Sequence, residues 1–466
     1  MSHYGLFTVA VVGLGKIGLP LAVQYALHGK YVIGCDIASW VVDMINTGQS
    51  HVQEEAELTT ELPHLVHEGL LSATTNTTEA VRRADVVVVI VPVAIDAKQE
   101  VNFHAIDAAT AAIGAGLQPG TLVVYETTLP VGTTAHRFCQ MLEQASGLTA
   151  GQDFFLAYSP ERVSSGHIFR DLRTYPKVIG GVNEQSTAAA VRFYQSVLDA
   201  SIITMSSADE AEFVKLIETT YRDVNIALAN EFACYADVYG LNASAAIAAA
   251  NTQPYSHIHT PGIGVGGHCI PVYPYFLLDG VENKHRRMYD VEPPELTLPR
   301  YARHINDAMA EYAVQRLQAT IGSLAHQSVL ILGAAYRGDV REVAFTSANL
   351  LQKALLAYGA DVYTDDPLFS SDELRTLGYT PLASGRENEI RAIILQANHH
   401  AYQSLDFSRF SCCQVVLDGR QALHREKIEA LGMRYIAIGD GNYKQTYKGT
   451  DEQQVFSSIF FERGQR

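Results

Sequence analysis

Three patterns in this sequence predict an α/β chain with two doubly wound parallel sheets joined by a long central helical segment. Short β-branched runs alternate with helical spacing from residue 7 to about 209, and the same alternation returns after about residue 328. Between them, 208–251 holds no proline, little glycine, and Ala, Leu, Ile and Val at helical spacing. Alternation of this kind builds parallel strands covered on both faces by helices. The first set of runs is 8–12, 31–35, 85–91, 121–125, 154–158, 177–179 and 202–204; the second is 329–332, 361–364, 392–395 and 414–417. The expected organisation is therefore two Rossmann-like domains, 1–207 and 326–466, with 208–325 as a helical connector. One or two long helices are expected at the start of the connector, which is also the expected place for contact between two copies.

The first element carries a ligand signature. Strand 8–12 runs into Gly13-Leu14-Gly15-Lys16-Ile17-Gly18, and a helical pattern follows through Leu19, Leu21, Ala22, Val23, Tyr25, Ala26 and Leu27. This is GxGxxG in its strand-turn-helix setting, where the glycines permit a tight turn and the approach of a pyrophosphate to the helix N-terminus. Strand 31–35 then delivers Asp36, about twenty residues on, where a carboxylate takes the ribose hydroxyls of a dinucleotide. Such an acid repels a 2′-phosphate, so the expected cofactor is NAD rather than NADP.

Near the connector lies the run Gly262-Ile263-Gly264-Val265-Gly266-Gly267-His268-Cys269-Ile270-Pro271-Val272-Tyr273-Pro274-Tyr275-Phe276. Glycines that let backbone and ligand approach closely, with prolines that fix the local backbone, mark Cys269 as a placed nucleophile. Taken alone, the same residue also fits a small buried hydrophobe in a tight turn. A nicotinamide enzyme that interconverts an alcohol and a ketone has no need of a thiol, whereas one that takes a primary alcohol to an acid does. The first hydride transfer gives an aldehyde; the thiolate captures it as a thiohemiacetal, a second hydride leaves to another NAD, and the thioester is hydrolysed.

Composition narrows the partners. A net charge of −16 argues against nucleic acid or an anionic membrane, and an anionic substrate must be held by local Arg, Lys and backbone amides. Cysteines at 35, 139, 234, 269, 412 and 413 show no CxxC or metal spacing, so no metal is expected and a reducing cytoplasm is. The N-terminus reads as lacking a basic and apolar signal segment, and the longest apolar run, around 86–91, is far too short to span a bilayer.

A set of ordered motifs resembles the family of UDP-glucose, UDP-N-acetylglucosamine and UDP-N-acetylmannosamine 6-dehydrogenases along nearly the whole chain. The matches are Val12-Gly13-Leu14-Gly15-Lys16-Ile17-Gly18-Leu19-Pro20-Leu21-Ala22, Val91-Pro92-Val93, Glu126-Thr127-Thr128-Leu129-Pro130-Val131-Gly132-Thr133-Thr134 and Tyr158-Ser159-Pro160-Glu161-Arg162. They continue with Ala211-Glu212-Phe213-Val214-Lys215-Leu216, the run from Tyr221 to Glu231, the Cys269 loop, and Asp418-Gly419-Arg420. Gly-Gly-His-Cys at 266 to 269 is similar to the N-acetylhexosamine branch. The resemblance implies oxidation of the C6 hydroxymethyl of a UDP-N-acetylhexosamine or UDP-glucose to the uronic acid, in polysaccharide biosynthesis, by a homodimer or higher homo-oligomer. It implies Cys269 as nucleophile, Lys215 as the cation at the developing alkoxide, and Glu161 with Thr128 at the water that cleaves the thioester. For NAD it implies Gly13, Gly15, Lys16, Ile17, Gly18, Asp36, Ile37, Val91, Pro92 and Thr128. For the substrate it implies Glu161, Arg162, Val163, Lys215, Thr219, Tyr255, Gly264, Gly266, Tyr336, Arg337 and Arg420, the last two suited to diphosphate or uridine.

Four positions depart from the family pattern. Tyr273 stands where the family has an aspartate, Thr219 replaces an asparagine, and Gln253-Pro254-Tyr255 replaces the His-Pro-Arg of the N-acetylhexosamine branch. Ala344-Phe345-Thr346-Ser347 stands in place of Arg-Glu-Ser-Pro. Three readings stay open on the sequence: a four-electron dehydrogenase, a divergent nucleotide-sugar oxidoreductase that stops after one hydride or works at another carbon, and a non-catalytic nucleotide-sugar binder.

Overall fold

The structure, a computed structural model, describes residues 7–96, 98–282 and 295–441. The chain divides into two units, Met1–Glu218 with Tyr275–Pro294 and Thr219–Pro274 with Glu295–Arg466. The helical segment expected between the sheets is shared between them.

In the first unit the strands are β1 (Thr8–Val12), β2 (Tyr31–Cys35), β3 (Leu71–Thr74), β4 (Val86–Val89), β5 (Ala94–Ile95), β6 (Val101–Asn102), β7 (Leu122–Tyr125), β8 (Phe155–Tyr158), β9 (Lys177–Gly181) and β10 (Ile202–Thr204). Eight of them form one sheet in the order β10-β9-β8-β7-β4-β1-β2-β3, and β5 pairs with β6 as a short hairpin. Both β4 and β7 are buried at every position, the continuous apolar run of a parallel strand covered on both faces. All neighbours in the large sheet run parallel except β8 and β9. The order reverses between β1 and β4, and loops leaving the carboxyl ends of strands at such a reversal diverge and open a crevice. Run 85–91 proves shorter as a strand. Edge strand β3 escaped sequence reading because Leu71-Ser72-Ala73-Thr74 has one large apolar residue and is buried at Leu71 alone.

The second unit repeats the plan with β11 (Ser328–Leu332), β12 (Asp361–Asp365), β13 (Ala392–Leu395), β14 (Val415–Asp418) and β15 (Arg434–Ala437). They form an all-parallel sheet in the order β12-β11-β13-β14-β15, reversing between β11 and β13.

Where 208–251 predicts one or two long helices, helix Ala208–Tyr239 is followed by helix Ala243–Ala250, capped by the Asn242 side chain. The long helix buries polar groups among apolar ones such as Ile226, Ala229, Ala233 and Cys234. Asp223, Asn230 and Asp237, seven residues apart and fully buried, bind the helix Thr297–Ile321, which sequence periodicity did not reveal. Arg303 lies 2.6 Å from Asp223, Asn230 donates to Asn306 at 2.9 Å, and Arg316 lies 2.6 Å from Asp237. Tyr221, Leu228, Phe232, Tyr235 and Tyr239 of the same helix are exposed. Among the described residues, no helix is long and apolar enough to cross a membrane.

Candidate active site

The GxGxxG turn gives each glycine a different physical task. Gly13 has φ +96°, a left-handed conformation that disfavours side chains, and donates its N–H to the Cys35 carbonyl at 2.8 Å. A Cβ on Gly18 would lie 1.8 Å from the Gly13 carbonyl oxygen, so the third glycine permits packing of the helix Gly18–Leu27 on the turn. A Cβ on Gly15 would meet nothing within 4 Å, leaving this glycine open to a ligand. Asp36 is half-buried and accepts N–H from Leu14 at 3.0 Å and from Ala38 at 2.9 Å, which aims the carboxylate while leaving lone pairs on both oxygens. These residues fit an adenosine dinucleotide. Ile37 is 96% exposed beside Asp36, and Lys16 bridges to Glu54 at 2.9 Å. On the other side of the reversal, Thr127 donates to the Val91 carbonyl at 2.7 Å, joining the Thr128 loop to the Val91-Pro92 segment.

Thr128, Lys215 and Thr219 are all buried. Lys215 is therefore not the solvated helix lysine its position alone would suggest. Glu212, one turn earlier on the same helix, accepts from the backbone N–H of Gly132 (2.5 Å) and Thr134 (2.9 Å) and from the Thr134 hydroxyl (2.7 Å). It thereby ties the Thr128 loop to the turn preceding Lys215. Burial pushes the Glu212 carboxyl up to about 8 against the pull of these donors.

Glu161 belongs to a buried cluster that the sequence did not disclose. Its Oε1 accepts from the backbone N–H of Arg162 (2.7 Å) and Val163 (3.2 Å), and its Oε2 lies 2.9 Å from Lys177 Nζ. The same ammonium lies 2.8 Å from Glu126 Oε2, while Tyr25 and Tyr194 donate to Glu126 Oε1 at 3.0 and 2.5 Å. Burial pushes Glu126 up to about 7. Glu161 experiences the same desolvation, but the charge and hydrogen bond of Lys177 outweigh it and hold the carboxyl below its ordinary range. Arg162 turns to Glu218 at 3.1 Å and to the Pro176 carbonyl at 3.3 Å.

In the second unit Cys269 is an exposed free thiol, which removes the buried-hydrophobe alternative. Its carbonyl accepts from the N–H groups of Val272 (3.2 Å) and Tyr273 (2.9 Å) at the start of helix Tyr273–Glu282. The close approach that the preceding glycines permit is to protein. A Cβ on Gly264 would come 2.9 Å from Ser347 Oγ, and one on Gly266 2.6 Å from Tyr336 Cβ and 2.9 Å from the Phe345 carbonyl. Gly267 also donates to the Ala344 carbonyl at 2.8 Å, so the departure Ala344-Phe345-Thr346-Ser347 is the bed on which the cysteine loop rests. Arg420 lies against the same loop. Its guanidinium donates to the carbonyls of Gln396 (2.5 Å) and Gly264 (3.4 Å) and, among the described residues, forms no ion pair. Burial pushes it down to about 10, so an added anion there would relieve a desolvated cation. Arg337 stacks over Tyr336 at 5.8 Å, and Tyr255 is 89% exposed.

Three family models match the chain in order. The UDP-glucose/GDP-mannose dehydrogenase family NAD binding domain matches residues 7–198, its central domain 209–306 and its UDP binding domain 330–425. UDP-N-acetyl-D-mannosamine dehydrogenase of Pyrococcus horikoshii is 33% identical over 443 residues, 93% of this chain and 99% of that protein. NDP-N-acetyl-D-galactosaminuronic acid dehydrogenase of Ralstonia nicotianae is 32% identical over 431 residues, 91% and 98% respectively. The solved structure of UDP-D-ManNAc dehydrogenase from P. horikoshii has a TM-score of 0.83 and covers 93% of this chain and 100% of that one. That of NDP-N-acetyl-D-galactosaminuronic acid dehydrogenase from Methanosarcina mazei has a TM-score of 0.81 at 28% identity, covering 95% and 97%.

Proposed function

The chain belongs to the UDP-glucose/GDP-mannose dehydrogenase family, and we propose on that premise that its substrate is a UDP-N-acetylhexosamine whose C6 hydroxymethyl becomes the uronic acid. It is an NAD-dependent oxidoreductase of a UDP-sugar. The N-acetylhexosamine reading is supported by the Gly-Gly-His-Cys form at 266 to 269 and by the activities named for the relatives. The observation that carries the mechanism is the exposed Cys269 on a loop braced by Tyr336, Ser347 and the half-buried Arg420.

NAD, when bound, would supply the hydride acceptor for each of the two oxidation steps, a second NAD replacing the first NADH between them. Gly13, Gly15, Lys16, Ile17 and Gly18 would hold its pyrophosphate side, Asp36 with Ile37 its ribose, and Val91, Pro92 and Thr128 the opposite wall of the crevice. Lys215 would balance the negative charge that develops on the C6 oxygen as its proton leaves. The Cys269 thiolate adds to the aldehyde carbon, giving a thiohemiacetal that becomes a thioester on loss of hydride; water then breaks the C–S bond and releases acid and thiol. Glu161 and Thr128 would orient and deprotonate that water. Arg420 and Arg337 suit the diphosphate, with Arg162, Val163, Thr219, Tyr255, Gly264, Gly266 and Tyr336 forming the rest of the substrate's surroundings.

The three-part organisation 1–207, 208–325 and 326–466 belongs to the same proposal, as NAD-binding, connecting and UDP-sugar-binding parts. A homodimer is supported by the exposed aromatic face of helix Ala208–Tyr239, where Tyr221, Phe232, Tyr235 and Tyr239 face outward. A cytoplasmic site is supported by six free cysteines, and a role in polysaccharide biosynthesis by the uronic acid product.

Counting NADH formed per sugar consumed, across a panel of UDP-hexoses and UDP-N-acetylhexosamines, tests the reading. Two per sugar is expected, and Cys269→Ser should abolish acid formation with NAD binding intact, since serine is far harder to ionise. One NADH per sugar, or normal acid formation by the serine variant, overturns it. Tyr273, which replaces the family aspartate, makes the one-hydride outcome the specific rival.

A further inference from the structure

Lys177 opens β9, the strand that runs antiparallel to its neighbour β8, and its side chain is 6% exposed. Two carboxylates converge on its ammonium, Glu126 from the end of β7 and Glu161 from the turn after β8. Polar groups reach this point from several elements: Asp171 of helix Ile168–Thr174, which accepts from Ser164 N at 3.0 Å and pairs with Arg170 at 2.7 Å, lines the same cavity as Glu161 and Lys177, as does Tyr175. Tyr25 comes from helix Gly18–Leu27 and Tyr194 from helix Glu184–Gln195, with Lys177 Nζ also 5.0 Å from the Tyr194 ring centroid. Ser159 turns its hydroxyl away to the Val178 carbonyl at 2.7 Å, and Arg162 is engaged with Glu218. One cation thus serves two acids, and the tyrosines serve Glu126 alone.

The two carboxylates are held differently. Glu126 is fully buried, receives two phenol donors and lies behind the ammonium. Glu161 keeps 9% side-chain exposure and is fixed by the ammonium at one oxygen and two backbone N–H groups at the other. The three side-chain donors to Glu126, from Tyr25, Tyr194 and Lys177, are therefore internal, while Glu161 is the member at the edge. A buried ion pair of this kind is weak evidence of a stabilising role, because desolvation offsets much of the Coulombic gain.

We propose that Lys177 is a positioning residue for acid formation: shared between Glu126 and Glu161, its ammonium keeps the Glu161 carboxylate ionised and in one orientation for its work on water. This rests on the assignment of Glu161 above. Glu126 supplies the counterweight that keeps the ammonium charged and seated behind Glu161. Removal of the ammonium raises the pH needed to ionise Glu161, because the opposite charge that favoured its anion is gone.

The test is the pH dependence of kcat for acid formation in the full-length protein, with thermal melting and NAD binding measured alongside. Lys177→Gln, which keeps a hydrogen-bond donor without charge, should move the acidic limb upward by about one pH unit or more, a roughly tenfold loss at the low-pH end beyond any change in plateau. Lys177→Arg should bring the limb back, since charge is restored. Should Lys177→Gln fail to fold, Glu126→Gln reads the same arrangement: Glu161 then has the ammonium to itself, and the limb should stay at or below its natural position. An unmoved limb in Lys177→Gln, or an upward shift in Glu126→Gln, overturns the proposal. Glu161→Gln separates this from the underlying assignment. Normal acid formation by that variant overturns both, whereas slow acid formation with an unmoved limb in Lys177→Gln overturns the role of Lys177 alone.

Discussion

At the end of β1, Gly13 donates its N–H to the Cys35 carbonyl at 2.8 Å; at the end of β11, Gly333 donates to the Asp365 carbonyl, also at 2.8 Å. In each sheet the next strand then delivers an aspartate to the turn. Asp36 accepts from Leu14, and Asp366 accepts from Ala334 (2.8 Å) and Ala335 (2.9 Å). The resemblance ends at the carboxylates. Asp36 is half-buried beside a glycine that faces open space, whereas Asp366 is buried and takes two further bonds, from Leu368 N (2.9 Å) and with His399 Nε2 (3.1 Å). A buried acid held by four internal partners is committed to its own turn rather than to a ribose. The same turn thus keeps carboxylate lone pairs open in one sheet and spends them on scaffold in the other, and in the second unit the proposed ligand chemistry falls to Arg420 and the cysteine loop.

The largest effect that would break this comparison is predicted at Asp366. Asp366→Ala should cost about 3 to 5 kcal/mol of unfolding free energy by denaturant titration, because it strands a buried histidine and three buried N–H groups. Burial opposes ionisation of Asp366, but His399 and the backbone donors prevail and hold its carboxyl below the ordinary range. Its contribution is therefore fully present above about pH 4, the unfolded value, and is lost as pH falls below that toward the depressed folded value. The variant should show less acid sensitivity than the natural protein. A loss below about 1 kcal/mol would mean that Asp366 is as dispensable to its turn as a ligand-binding acid.

Next in size is the contrast within the first turn. Gly18→Ala, with a Cβ 1.8 Å from a carbonyl oxygen, should cost about 1 to 3 kcal/mol and weaken NAD together with the fold. Gly15→Ala should leave the melting temperature nearly unchanged while raising the NAD dissociation constant about tenfold or more, since its Cβ would enter space that the protein does not use. Equal effects of the two on stability would remove the distinction between packing and ligand glycines.

Of the two turn acids, the smaller effect on stability belongs to Asp36. Asp36→Ala should cost about 1 kcal/mol, the order of the two hydrogen bonds it gives up to solvent-accessible partners. It should also narrow the preference for NAD over NADP by about tenfold, measured by calorimetry, since the repulsion of a 2′-phosphate goes with the carboxylate. A preference unchanged in the variant would sink Asp36 as the discriminating acid.

Much of this molecule follows from local pattern. The limits of β1, β2, β10 and β13 coincide with the sequence-predicted runs, because each is a short apolar stretch closed by Gly, Asp, Ser or a polar turn. The GxGxxG turn, Asp36 and the helical stretch from Ala208 are likewise local, as the physics of a glycine turn or of helical spacing acts over a few residues. Edge strands β3 and β15 and helix Thr297–Ile321 were not legible, since β3 is buried at Leu71 alone, β15 is a four-residue strand opening on an exposed arginine, and this helix buries Arg303, Asn306 and Arg316. Partners were not legible either. Lys177 finds Glu126 across 51 positions and Glu161 across 16, and Gly266 is small because of Tyr336 and Phe345, about seventy to eighty positions away. Sequence alone determined which chemical groups and which turns are present; tertiary structure decided which carboxylate is spent on scaffold and which is left for a ligand, because burial and hydrogen-bond saturation are properties of neighbours that chain order does not carry.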